Sequence, residues 1–331
     1  VFVFSRPDIR KILQERFIVV AADDWYQRRR DDDVGRFFRA VADQGPRKGR
    51  NGSTRQGRYV FTASGKLLGY NNNRDPDRIM KMLEESLEAF SDLPEEDRGA
   101  GAVKVPQIPP SAHDLRYQRV LEPDTLPVKV YTRGLKKNGG GYDLCDQLET
   151  GPKELRQTGL DIAVDHLWIR HSEVEEILQL TKTGKGNALP MDLSMRIARY
   201  HLVDNTRGEP SHWRSEEVRV LDLRLTPSTP KAPGEQVIRI RGPFHLETKD
   251  KQRGYRGEID GTLTISSGAV QPLFHMVAIG NHWGEGPYTP GARVGNAPLA
   301  VVFAVAARSQ TVDRIPPQGI RWANGYWNAA N

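Results

Sequence analysis

Long alternations of apolar and polar residues dominate the second half of the chain. Val218–Thr226 (VRVLDLRLT), Gln236–Leu246, Gly257–Ser266, Leu273–Ile279 and Leu299–Ala306 repeat with a period near two, and each break between them holds Gly, Pro, Asn or Ser. Successive side chains of a strand point to opposite faces, so this pattern predicts half-buried strands joined by turns. In the first of them Leu221, Leu223 and Leu225 occupy the odd positions, and a register shift is expected to turn them inward. Val128–Thr132 adds a strand ahead of the series. Sequential strands of this kind predict an antiparallel meander, closed as a barrel or curved sandwich. Two short helices precede it. Ser172 and Glu175 read as a capping box opening EVEEILQL, and Met191–Tyr200 places Leu193 and Ile197 on one face.

The first part of the chain mixes both periods. A helix is expected from Pro7, with Ile9, Ile12 and Leu13 inward, and another from Asp75 to Phe90, with Ile79, Met82, Leu83, Leu87 and Phe90 inward. Val34, Phe37, Phe38 and Val41 mark a third. VFVF (1–4), FIVVAA (17–22), RYVFT (58–62) and LLGY (67–70) read as strands, the last two joined by a turn at Ala63-Ser64-Gly65-Lys66. Between the halves lies a stretch with Pro94, Pro106, Pro109, Pro110, Pro123 and Pro127, which favours extended backbone. The expected organisation is an α/β domain over 1–95, a Pro-rich linker over 96–126, and an α+β, mostly antiparallel β domain over 127–331.

FIVVAADD and the strand-turn-strand GRYVFTASGKLLGY, followed by a helix, resemble the thioredoxin-like superfamily over residues 1–92. That resemblance implies a thioredoxin-like fold. It does not carry the activity, because the family's chemistry needs a Cys-x-x-Cys pair before the first helix, and Phe4-Ser5-Arg6-Pro7 stands there. Gln56-Gly57-Arg58 likewise replaces the family's cis-proline. More broadly, the chain resembles uncharacterised bacterial secreted proteins in which a thioredoxin-like segment precedes HLVDNTRGEPxxW and HWGEG segments. The resemblance implies an exported protein, periplasmic or extracellular.

Charge changes this picture little. The 331 residues carry a formal net charge of +6, interrupted by acidic runs such as Asp31-Asp32-Asp33, which argues against nucleic acid as the partner. The apolar runs are too short to cross a membrane. The single cysteine, Cys145, excludes a dithiol motif within these residues and is expected as a buried free thiol. The loop Arg47–Arg58 reads either as an anion-binding loop or as a solvated surface loop.

Groups able to do chemistry concentrate in YHLVDNTRGEPSHW (200–213) and GNHWGEGPY (280–288). His201, His212 and His282 would make a zinc or copper site if they converged, although none has metal-ligand spacing. Asp204, Arg207, Glu209, Trp213, Trp283 and Glu285 are the candidate ligand-binding residues: a guanidinium fork oriented by carboxylates and walled by indoles suits a small acidic ligand or a protein partner. The competing reading makes the Asp204–Glu209 stretch a hydrogen-bonded corner between helix and sheet. The function expected is that of a non-catalytic binding or scaffold protein with no cofactor, against a metal-dependent enzyme as the alternative.

Overall fold

A computed structural model describes residues 2–49, 53–73, 75–98, 109–117, 119–145, 162–183, 188–269, 271–289, 291–293, 295–307 and 309–331. The chain divides into two units, Val1–Arg119 and Val120–Asn331.

In the first unit, helices α1 (Pro7–Arg16), α2 (Asp24–Gln27) and α3 (Asp33–Ala42) precede strands β1 (Arg58–Phe61) and β2 (Leu67–Asn71), then helices α4 (Pro76–Ser91) and α5 (Glu95–Arg98). The charge blocks of the sequence resolve into helix caps. Asp23, Asp32 and Asp75 accept backbone N–H groups at the starts of α2, α3 and α4. Asp32 is buried; burial opposes its charge, but a bidentate Arg30 and the N–H groups of Gly35 and Asp114 hold it ionised, well below the usual carboxylate range. β1 and β2 form the expected hairpin, turning at Gly65 with φ 88°. Ile79, Met82 and Leu83 of α4 pack with Val3 and Ile9. Phe90 and Phe37 stay more than a third exposed, and Ser86 fills the inward position instead, against Gly69, where a Cβ would lie 2.2 Å from Ser86 Oγ. Within the basic loop, Arg55 is buried on Asp43 and the Gly49 carbonyl, so it is an internal anchor and no solvated side chain.

Two expected strands are not formed. Phe2–Ser5 is a 3-10 turn. Residues 17–22 form neither helix nor strand and pair with nothing among the described residues. Apolar composition alone does not make a strand; a partner edge must be present. The proline-rich stretch also divides: residues 99–108 lie outside the described residues, and residues 109–117 belong to the first unit, with His113 Nδ1 3.1 Å from Arg30 and the Asp114 carboxylate accepting the Asp31 N–H.

The second unit is built on one large antiparallel sheet. Its strands are β3 (Leu126–Asn138), β4 (Gly141–Leu144), β5 (Ile162–Ile169), β6 (Val218–Leu221), β7 (Arg224–Ser228), β8 (Glu235–Glu247), β9 (Gly254–Ser266), β10 (Leu273–Trp283) and β11 (Ala297–Val305). β8 to β11 form the expected meander, β3 joins beside β11, and β5 pairs with the far side of β3. Helices α6 (His171–Thr183) and α7 (Met191–Arg196) and the C-terminal helix α8 (Ala323–Trp327) complete the unit. The barrel expectation is corrected: among the described residues the sheet is open, running from β5 to β6 and β7, which do not pair with β5. A closed barrel fills itself with its own strand side chains. Here Ile177, Leu193, Ile197 and Tyr326 join Val130, Leu167, Ile240, Met276 and Phe303 in one core, so helices occupy the space that closure would need.

The leucine register resolves as a break between β6 and β7. Leu223 and Leu225 are buried and Leu221 half-buried. The bend passes over Gly242, where a Cβ would lie 1.8 Å from the Asp222 carbonyl oxygen. Gly242→Ala is expected to cost about 1–3 kcal/mol, since the obstructing atom is backbone and cannot rotate away. Urea denaturation of the two proteins measures it. The capping-box expectation also moves by two residues. Glu173, not Glu175, reaches back to the Arg170 N–H, and Glu175 lies 3.3 Å from His171.

Candidate functional site

The stretch 200–213 begins where α7 widens into one π-helical turn, Ile197–His201, and ends at Leu202. Beyond it the chain must turn from helix to sheet, and Asp204 organises that turn. Its Oδ1 accepts the Thr206 N–H and hydroxyl, at 3.1 and 2.6 Å, and its Oδ2 accepts Arg207 Nε at 2.9 Å. A short carboxylate satisfying backbone two residues on is what aspartate does in turns. Arg207 then reaches across to the carbonyls of Thr289 and Gly284. Gly208 has φ 153°, and a Cβ there would lie 2.2 Å from the Tyr288 carbonyl oxygen. The two segments singled out in the sequence therefore pack on each other.

His282 completes the junction. It is 7 % exposed, faces Asp204, and sits 5.9 Å from the Tyr255 ring. Burial pushes its pKa down to about 4, against the pull of Asp204. Burial also opposes the Asp204 carboxylate, but His282, Arg207 and Thr206 outweigh it and hold it below its usual range. Below them Arg253 stacks 4.0 Å from the Trp213 ring and donates to the Ser211 carbonyl, while Trp213 Nε1 donates to Leu202. The cavity enclosed by Asp204, Arg207, Trp213, Arg253, His282 and Thr289 measures about 10 Å³, room for about one water molecule.

The remaining candidates are also engaged internally. Glu209 pairs with Arg321 at 2.5 Å. Glu285 accepts the N–H groups of Gly291 and Ala292. Trp283 lies on Gly254, where a Cβ would come within 2.0 Å of its ring, and its Nε1 donates to the Lys251 carbonyl. Each of the six groups thus has a partner within the described residues.

The three histidines do not converge. His201 and His212 belong to a second buried cluster around Asp165. His201 Nδ1 lies 3.3 Å from Asp165 Oδ2 and its Nε2 lies 3.2 Å from the Tyr326 hydroxyl. Burial disfavours the Asp165 charge; His201 and the N–H groups of His166 and Gln318 outweigh it. His212 packs edge-on against Tyr200 and Trp322, at 4.8 and 5.9 Å between ring centres, and burial lowers its pKa to about 4. His282 answers to Asp204 instead. Among the described residues no group of three or more His, Cys, Asp or Glu side chains gathers as metal ligands do.

Sequence reasoning gave no site role to Asp165, Arg253, Tyr326 or the Arg196–Glu173 pair. Arg196 is fully buried, donates to both Glu173 oxygens at 2.6 Å, and lies over the rings of Tyr326 and Trp327. An arginine inside a short amphipathic pattern gives no local signal of this; only the arrival of α8 creates its site. In the tail, Trp327 packs against the core, Trp322 remains half-exposed and Tyr326 is the buried anchor. Cys145 is buried with a free thiol 3.9 Å from Arg293. No helix of the described residues is long and apolar enough to cross a membrane. Comparison with family models, curated proteins and solved structures gives no match to this chain.

Proposed function

We propose that this chain is an exported, non-catalytic binding protein, with a first unit of thioredoxin-like descent that lacks the thiol pair and a second unit that presents its sheet to a protein partner. The observation that carries the reading is the internal use of the candidate site. Its charged side chains bond to each other and to backbone around space for about one water, whereas a substrate site leaves convergent polar groups facing a pocket.

The outer face of the sheet is the better surface for recognition. Val164, Tyr131, Val302 and Val277 lie side by side across β5, β3, β11 and β10, next to Asp260 and Arg241. The next row runs Ile162, Arg133, Ala300, Ile279, Glu258. Ile162 and Val164 are 43 and 52 % exposed. A contiguous apolar stripe with charges of both signs beside it suits a protein surface of matching pattern.

Two measurements test the proposal. In a thiol–disulfide exchange assay with insulin, the full chain is expected to give no turnover; turnover would overturn the reading. A photo-cross-linking residue at Val277 is expected to trap a protein from the producing cells, and the same residue at Glu176, exposed on α6 across the core from that face, is not. Equal trapping at both places would remove the sheet face as the binding surface.

A further inference from the structure

The first unit leaves a segment of strand composition unpaired. α1 ends at Arg16, Phe17 turns extended with φ −133° and ψ 150°, and α2 is capped by Asp23. Between these points run Ile18, Val19, Val20, Ala21 and Ala22, all exposed; the first three are 97, 61 and 76 % exposed. Successive strand residues face opposite sides, so both faces of this segment are bare. Both edges are bare too: among the described residues no backbone hydrogen bond involves residues 18–22. Such a segment is a template for sheet addition, and folded proteins blunt it with charges, proline or bulges. Residues 17–22 contain no charge and no proline.

We propose that Phe17–Ala22 pairs with the same segment of a second copy of the chain, as an antiparallel two-stranded ribbon about a two-fold axis between Val19 and Val20. The sequence is self-complementary in that register alone. Arg16 falls opposite Asp23, Phe17 opposite Ala22, Ile18 opposite Ala21 and Val19 opposite Val20. Each cation meets an anion and each large side chain on Phe17 and Ile18 meets an alanine, twice over. Parallel in-register pairing would set Arg16 on Arg16 and Asp23 on Asp23, and an antiparallel shift of two residues would set Arg16 opposite Ala21. A two-fold, self-complementary patch is the commonest form of subunit contact. Phe17 packs on the small core of α1 and α4, so the ribbon would rest on the unit that supplies it. The proposal concerns the first unit and does not depend on the sheet face of the second.

Sedimentation velocity of the full chain tests it, with circular dichroism to verify folding of each variant. The wild type is expected to sediment as two chains at micromolar concentration, and Val19→Lys as one. Arg16→Asp places like charges opposite each other at both ends of the ribbon and is expected to weaken the dimer about tenfold, since cross-strand charge pairs are individually modest. Arg16→Asp combined with Asp23→Arg restores opposite charges and should dimerise more tightly than Asp23→Arg alone, which shares its loss of the α2 cap and sets arginine opposite Arg16. A monomeric wild type would overturn the proposal and leave the segment to a strand of another chain or another part of this protein. A dimer indifferent to Val19→Lys would place the contact elsewhere and overturn it equally. Loss in Arg16→Asp with a charge swap no tighter than Asp23→Arg alone would overturn the register.

Discussion

Acidification from pH 6.5 to pH 4 is expected to strip the second unit of most of its stability, through two histidines. His212 and His282 are held neutral in the fold, each with a pKa lowered from 6.5 to about 4 by burial. In the unfolded chain both titrate near their ordinary value. Between the two pKa values the unfolded state therefore binds more protons, and stability falls as pH falls. The contribution is fully present above pH 6.5 and is lost progressively down to pH 4. It is on the order of 3 kcal/mol for each ring, comparable with the whole stability of many domains. Asp165 pulls on His212 toward the charged form, while His201, Arg321 and Arg199 oppose it, and burial decides the outcome. Asp165 and Asp204 are themselves held low, so their protonation belongs to more acid solutions. Urea denaturation at pH 7 and pH 5 should show a clear drop in midpoint, and His212→Phe should remove its share of the drop. Equal midpoints would mean that both rings are solvated in the folded protein.

Asp204→Ala should be nearly as damaging, costing about 3–5 kcal/mol, because it abandons a buried guanidinium. Asp204 and Arg207 have side chains only 8 and 6 % exposed. Removing the carboxylate also deprives the Thr206 N–H and hydroxyl of their acceptor. The loss is electrostatic as well as structural, and a double substitution separates the two. Asp204→Leu with Arg207→Met removes both charges at similar volume and should cost less than Asp204→Ala alone. A double variant as weak as the sum of its parts would mean that the pair does not interact in solution. Neither variant is expected to change thiol chemistry, because the junction contains none.

The histidines show why the candidate chemistry was only half legible. Composition located the two segments correctly, since Gly208 and Gly284 permit an approach of backbone to backbone that a side chain would obstruct. It could not sort His201 and His212 from His282. That sorting depends on Asp165, which lies on β5 and reaches His201 only because β5 pairs with β3 while α7 packs over the same face. The metal expectation rested on three rings meeting, and two carboxylates in two different places divide them instead. The reading of Asp204–Glu209 as a hydrogen-bonded corner needed only local bonds, and it describes the junction well.

Periodicity by itself determined the elements whose partners are near in sequence: the β1–β2 hairpin, α4, and the meander β8 to β11. In each, a period of two or 3.6 names the buried face, and a short turn delivers the neighbour that covers it. Where the neighbour comes from far along the chain, pattern was insufficient. Residues 17–22 have strand composition without an available edge. β3 finds its partners on β11 and β5, and the helices between them fill the space that would have closed a barrel. Arg196, Arg207 and Arg253 look like surface charges in the sequence and become buried staples only when carbonyls, carboxylates and rings from other elements surround them. Local pattern states which side of an element must leave water; only the assembled fold states what it meets there.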